Sequence, residues 1–236
     1  MKWLCRVILC VGILCAGEVP ARGDLMQADG ADNLALSDGS VSGDVNAWAG
    51  RVGEYYGNGS SLVIPFQLPT LGAGEMFATA SLEMLLYEIV GTPEYNVDIY
   101  GLGSRTEATV LSGDFYWGAL DGSATLIQNN FATPAGSAGS YSTDAAGDAA
   151  LTSYLNAQYA GGAGAGDFVF IRLSMDVASA PAGNIAYVFT TQDAGGAGEK
   201  PQISYTTAIP EPSTLALITI GMGGILRLCS KRRVRV

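Results

Sequence analysis

The chain of 236 residues sets 12 Lys and Arg against 22 Asp and Glu, with no His and 4 Cys, for a formal charge of −10 at pH 7. Without imidazole there is no Ser-His-Asp triad, no Cys-His dyad and no histidine-ligated metal site. A hydrophobic fraction of 48% and a mean hydropathy of +0.26 exclude a globally disordered chain.

Residues 1–21 open with Lys2 and Arg6, continue as an apolar run over 7–16 and close on Val19-Pro20-Ala21. This is the order of a secretory signal peptide, with cleavage expected after Ala21. The apolar run would make a helix only about 15 Å long, too short to span a bilayer. Cys5, Cys10 and Cys15 lie in this leader and Cys229 near the C-terminus, so the body, residues 22–206, has no cysteine and must fold on its hydrophobic core alone. Over residues 22–209, Arg22, Arg51, Arg105, Arg172 and Lys200 face 20 acids, a net −15. So acidic a body repels phosphate backbones, and nucleic acid is not expected as a partner.

Within the body, apolar stretches at roughly ten-residue spacing, separated by Gly, Asn, Asp, Pro and Ser, predict an all-β fold, an antiparallel β-sandwich or barrel. Strands are expected over 33–37, 45–49, 61–67, 78–90, 95–102, 114–117, 167–175, 185–191 and 201–206. Alternation in two of them assigns faces. Val97 and Ile99 share one side against Asn96 and Asp98, and Val169, Ile171, Leu173 and Met175 oppose Arg172 and Ser174. One buried and one wet face are expected. Residues 132–166 are rich in Ala and Gly and read as a surface excursion, with one short amphipathic helix marked by Leu151, Tyr154, Leu155 and Tyr159.

Candidate sites in the body are of two kinds. Trp48, Tyr55, Tyr56, Tyr95 and Trp117 adjoin predicted turns, where an aromatic face suits the apolar side of a sugar ring. Asp29, Asp32, Asp38 and Asp44 offer oxygen ligands for a structural Ca²⁺, although Asp38-Gly39-Ser40 does not continue to the EF-hand glutamate, whose place is taken by Ala49. No catalytic constellation is expected: Glu83 and Asp98 are carboxylates on strands, and nothing in the sequence pairs them as glycoside hydrolysis requires.

The C-terminal region has its own order. A linker, 207–212, contains Pro210-Glu211-Pro212; a mostly apolar, glycine-bearing stretch over 213–229 is expected to be a short membrane helix; and 230–236 is a basic tail. Arg227, Lys231, Arg232, Arg233 and Arg235 would hold the tail on the cytoplasmic side, leaving the body outside. This arrangement resembles the PEP-CTERM sorting signal of bacterial exported proteins. The resemblance implies that Pro210, Glu211 and Pro212 are the recognition element, that an exosortase-type membrane peptidase is the partner, and that the protein is exported to the cell envelope or surface.

A second likeness runs through the body. Ser61-Leu62-Val63-Ile64-Pro65-Phe66-Gln67-Leu68-Pro69, then residues 78–87 ending Leu85-Leu86-Tyr87, Val97-Asp98-Ile99-Tyr100, Ser142-Thr143-Asp144 before a helix, and Pro201-Gln202-Ile203-Ser204-Tyr205 together resemble DNRLRE-type domains. That resemblance implies a jelly-roll sandwich of carbohydrate-binding-module type. The expected function is that of an exported, surface-sorted, non-enzymatic structural or matrix protein. The alternative is a carbohydrate-binding module for extracellular polysaccharide.

Overall fold

A computed structural model of the chain describes residues 23–42, 48–118, 121–179, 182–196 and 199–210. The expected signal peptide, the membrane helix, the basic tail, Glu211, Pro212, Asp44 and most of the strand expected over 45–49 lie outside the described residues. Twelve strands and one helix follow in order: β1 (Gly23–Gln27), β2 (Asn33–Leu36), β3 (Val41–Ser42), β4 (Ala49–Tyr55), β5 (Asn58–Gln67), β6 (Met76–Val90), β7 (Val97–Arg105), β8 (Thr125–Ala132), β9 (Gly139–Ser142), α1 (Ala145–Ala160), β10 (Phe168–Met175), β11 (Ala186–Thr190) and β12 (Gln202–Ala208). Every pairing is antiparallel, and the strands form one sheet that curls on itself.

The curl gives two facing layers. In one, β11 and β12 pair with successive stretches of the long strand β6, flanked by β4 and β1 respectively. The other runs β5-β10-β7-β8, with β2 on the free side of β5. Two seams join the layers. Strand β4 leaves β11 near Gly53 to pair with the start of β5, and Ala28, just past β1, bridges to Phe66 near its end. The inner faces meet in one core that includes Leu82, Leu86, Tyr187, Phe189, Ile64, Phe66, Val97, Ile99, Ile171 and Leu173. As alternation predicts, Val169, Ile171, Leu173 and Met175 all point into it.

The helix α1 packs on β6, β8 and β7 and closes the open side of the curl. Asp144 caps its N-terminus by accepting the Gly147 N–H at 2.8 Å. Leu151, Tyr154 and Leu155 belong to the core, so the Ala- and Gly-rich region is a structural wall and not the surface excursion its composition suggests. The segment expected as a strand over 114–117 instead follows a short 3-10 turn, Ser112–Asp114, in the connection between β7 and β8.

That connection corrects the expectation of a wet outer face. Val110 and Phe115 pack with Val63 and Phe170 on the outside of the β5-β10-β7 layer. Beside them, Arg172, Ser174 and Asp98 are buried as well. Arg172 donates to Asp121 Oδ2 at 2.7 Å, to the Asp114 carbonyl at 3.1 Å and to Ser174 Oγ at 3.2 Å, with its guanidinium over the rings of Tyr100 and Tyr116. A second arginine, Arg105, pairs with Asp114 and lies over Phe170. Both strand faces are therefore dry here, the outer one because a polar connection is clamped across it.

Candidate functional site

A cleft of about 640 Å³ opens on the outer side of the β4–β11–β6 layer, against strand β2. Its lining includes Trp48, Tyr56, Tyr87, Arg51, Glu88 and Asp32. Each is placed by a feature of the sheet. Trp48 lies just before β4, and its carbonyl accepts the Thr191 N–H at 3.0 Å, which ties it to the end of β11. Its ring meets that of Tyr87 edge to face, with centroids 4.3 Å apart and planes at 88°. Trp48 remains 46% and Tyr87 49% exposed.

Tyr87 follows the inward Leu86 and so faces out, and a bulge keeps its neighbour Glu88 at the surface as well. Between Val188 and Phe189 of β11, the register on β6 jumps from Glu88 to Leu86, so Tyr87 is the extra residue. Strict alternation with Leu82, Met84 and Leu86 inside would turn Glu88 inward, and the bulge leaves both Tyr87 and Glu88 outside. Tyr56 is presented by a tight turn. Tyr56 and Gly57, at φ 48° and 84°, form the two-residue loop of the β4–β5 hairpin, and Tyr56 is 86% exposed. A left-handed conformation is unusual for an aromatic residue and puts local strain at the cleft rim. The Glu54 carboxylate steadies the turn by accepting the Gly57 N–H.

The polar groups are fewer and also ordered. Arg51, facing outward on β4, donates from Nη1 to Asn184 Oδ1 at 2.7 Å. Asp32 is buried and accepts the Gln192 N–H at 2.7 Å. Burial, together with the nearby charges of Asp193 and Asp29, overrides that hydrogen bond and pushes its carboxyl up to about 6. Chemically the cleft joins flat apolar surface to a few fixed hydrogen-bonding groups.

The sequence candidates divide accordingly. Trp48 and Tyr56 meet at the cleft, while Tyr55 lies in β4 but its side chain is outside the described residues. Tyr95 is a correction: it is buried in the core, donating its hydroxyl to the Val52 and Ile185 carbonyls, and offers no face to a ligand. Trp117 is a second correction, since it packs over Gly59 and against Phe115 in the clamped connection. Of the acids, Asp32 lines the cleft, Asp29 accepts the Ala31 N–H, and Asp38 accepts from Ser40 and Asn58. Among the described residues, no three acidic or cysteine side chains group as a metal site. Glu83 is exposed and accepts from Gln202 at 2.7 Å, whereas Asp98 is buried and accepts the Asn130 N–H at 2.8 Å. Tyr87, Arg51, Glu88 and Asn184 were not singled out in the sequence as site residues, and the bulge that exposes Glu88 leaves no local signature.

The body ends in a strand that leads straight out of the fold. The last strand, β12, runs to Ala208, two residues past the expected body boundary, and Ile209 and Pro210 that follow are exposed. No helix among the described residues is long and apolar enough to cross a membrane. Residues 208–233 match the PEP-CTERM protein-sorting motif. The chain thus carries an exosortase-substrate sorting signal, which marks it as exported and sorted to the surface through a membrane-associated signal. The match covers the tail and leaves the body outside it. Comparison with curated proteins gives no match.

Proposed function

We propose that the protein is a non-enzymatic component of the cell surface or extracellular matrix whose cleft binds extracellular polysaccharide once the tail has been delivered for sorting. The carrying observation is the exposed Trp48–Tyr87 pair at the mouth of the cleft. Aromatic rings left this open in a folded domain have apolar faces to cover, and sugar rings present matching C–H faces with hydroxyls at the rim.

The direction of attachment supports the reading. Met76 of β6 pairs with Ala208, next to the sorting signal, whereas Glu88, at the cleft, pairs with Val188. Twelve positions along β6 separate Met76 from Glu88, about 40 Å at some 3.3 Å per residue. Gly23 pairs with Thr206, so the start of the body lies at the tail end too. A chain tethered through its tail would therefore hold the cleft away from the membrane.

The test is a titration of the full chain in nonionic detergent against bacterial and plant polysaccharides. Saturable binding is expected, weakened about tenfold, or roughly 1.4 kcal/mol, by Trp48→Ala or Tyr87→Ala with the circular dichroism unchanged. Binding should be the same with and without Ca²⁺, because no acidic cluster lines the cleft as a ligand set among the described residues. A folded chain that binds nothing in the panel, or variants that bind as the native chain does, would sink the cleft reading and leave a coating protein.

A further inference from the structure

The charges lining the cleft are one-sided. Asp32, Glu54 and Glu88 contribute three carboxyl groups, of which Asp32, pushed up to about 6, is only partly ionised near pH 6, against one cation of the lining, Arg51, which keeps its charge while donating to the neutral amide of Asn184. Asp29 and Asp193 stand close enough behind Asp32 to act on its carboxyl, so the negative field extends past the lining itself. The body as a whole, these groups included, carries a formal −15 over residues 22–209. A uronate chain entering here would bring carboxylate against carboxylate. An ammonium group would meet the acids and also the electron-rich faces of Trp48, Tyr56 and Tyr87.

Resting on the polysaccharide reading above, we infer that the cleft selects glycans built from sugars with a free, protonated amine, and rejects those built from uronic acids. Two independent features converge on this ligand: the exposed aromatic rim requires a partner with apolar faces, and the carboxylates require that partner to be cationic. Simple polycations satisfy the second requirement and fail the first, and neutral glycans do the reverse. Glu88 is the residue of the set most directly given to this task, because the bulge at Tyr87 turns it out toward the ligand.

Local attraction and general charge steering separate by salt. At 0.15 M the screening length is about 8 Å, so the field of the whole body fades while contacts inside the cleft persist. The experiment is calorimetric titration of the full chain in nonionic detergent, at 0.15 M salt and pH 6.0, with three hexamers: glucosamine, N-acetylglucosamine and galacturonic acid. Oligolysine of equal charge is the fourth probe.

The glucosamine hexamer is expected to bind at least tenfold more tightly than its acetylated form, and the galacturonate hexamer not to bind. Glu88→Gln and Glu54→Gln should each cut the preference for the amine about threefold and leave the acetylated hexamer unaffected, while Trp48→Ala weakens both sugars. Equal affinity for the two glucosamine forms, still sensitive to Trp48→Ala, would overturn the charge selection and keep the polysaccharide reading. Oligolysine binding as well as the amine hexamer would overturn the inference by reducing it to bulk charge. Failure of every sugar to bind, with the fold intact, would overturn both.

Discussion

Arg172 is one of five bases in the acidic body, yet its side chain is buried on the outside of β10 and held by Asp121, Asp114 and Ser174. Burial alone would push the Asp121 carboxyl up, but hydrogen bonds from Ser123 and Arg172 outweigh it and keep the group below its ordinary value. Removing one partner of such a pair strands a buried charge. Asp121→Ala is therefore expected to cost about 3–5 kcal/mol by urea unfolding, while the double change Asp121→Leu, Arg172→Met should recover most of that loss. A double variant no more stable than Asp121→Ala would refute the stranded charge as the source of the loss. Asp32 has the opposite sign. Its folded value of about 6 lies above the ordinary 3.8, so its contribution to stability is fully present below about pH 4 and is lost as pH rises through 6. The rise corresponds to roughly 3 kcal/mol against the folded state at neutral pH. Asp32→Asn can still accept the Gln192 N–H, so it should raise the urea midpoint at pH 7.5 and leave it nearly unchanged at pH 4. Parallel native and variant curves at the two pH values would refute the assignment.

At the level of elements, the connection between β7 and β8 and the helix α1 do the same mechanical work on opposite parts of the curl. Each covers sheet surface that hydrogen bonding between strands leaves open. Trp117 of the connection sits where a Cβ on Gly59 would fall, 2.0 Å from the ring. Gly59→Ala should therefore dislodge Trp117 and destabilise the domain by about 1–3 kcal/mol, with a red-shifted and more quenchable tryptophan emission. An unchanged emission spectrum would show that the ring is not seated there. Alternation made the core side of β7 and β10 legible, because a period of two reports which residues share a face. It carries no information on what covers the other face, so Asp98 and Arg172 read as solvated although the connection buries them. Composition misled in the helical region for a related reason. Small residues there do not mark a lack of packing: at Gly147 of the helix a Cβ would meet the Gln128 side-chain oxygen at 2.4 Å, so the helix lies close on β8 because side-chain volume is absent. Strands β1, β8 and β9, short or at edges, lack the apolar runs that reveal central strands. The candidate site was half visible. Trp48 and Tyr56 stand beside turns that the sequence marks, whereas Glu88 reaches the surface through a register shift that depends on the pairing with β11.

Across the whole molecule, the two kinds of information in the chain occupy opposite ends. The sorting match begins at Ala208, where β12 pairs with Met76, and the cleft lies at the other end of β6. A rigid sheet separates them, and no described side chain reaches from one to the other through a movable element. Delivery and binding should then be separable by substitution. Pro210→Ala with Glu211→Ala starts at the exposed Pro210, past the last strand, so the unfolding midpoint and the affinity for polysaccharide are expected to stay within about twofold of the native chain, well under 1 kcal/mol. The same pair of changes removes two of the three residues that define the sorting tripeptide, so exosortase-containing membranes should shorten the native chain on a gel and leave the variant at full length. Trp48→Ala should give the reverse pattern, with normal shortening and weakened binding. If the tail variant were shortened like the native chain, recognition would have to reside in the apolar stretch and basic cluster alone. If it lost glycan binding while still folded, the two ends would be coupled through β6, and the view of the body as an independent head on a sorting tail would be wrong.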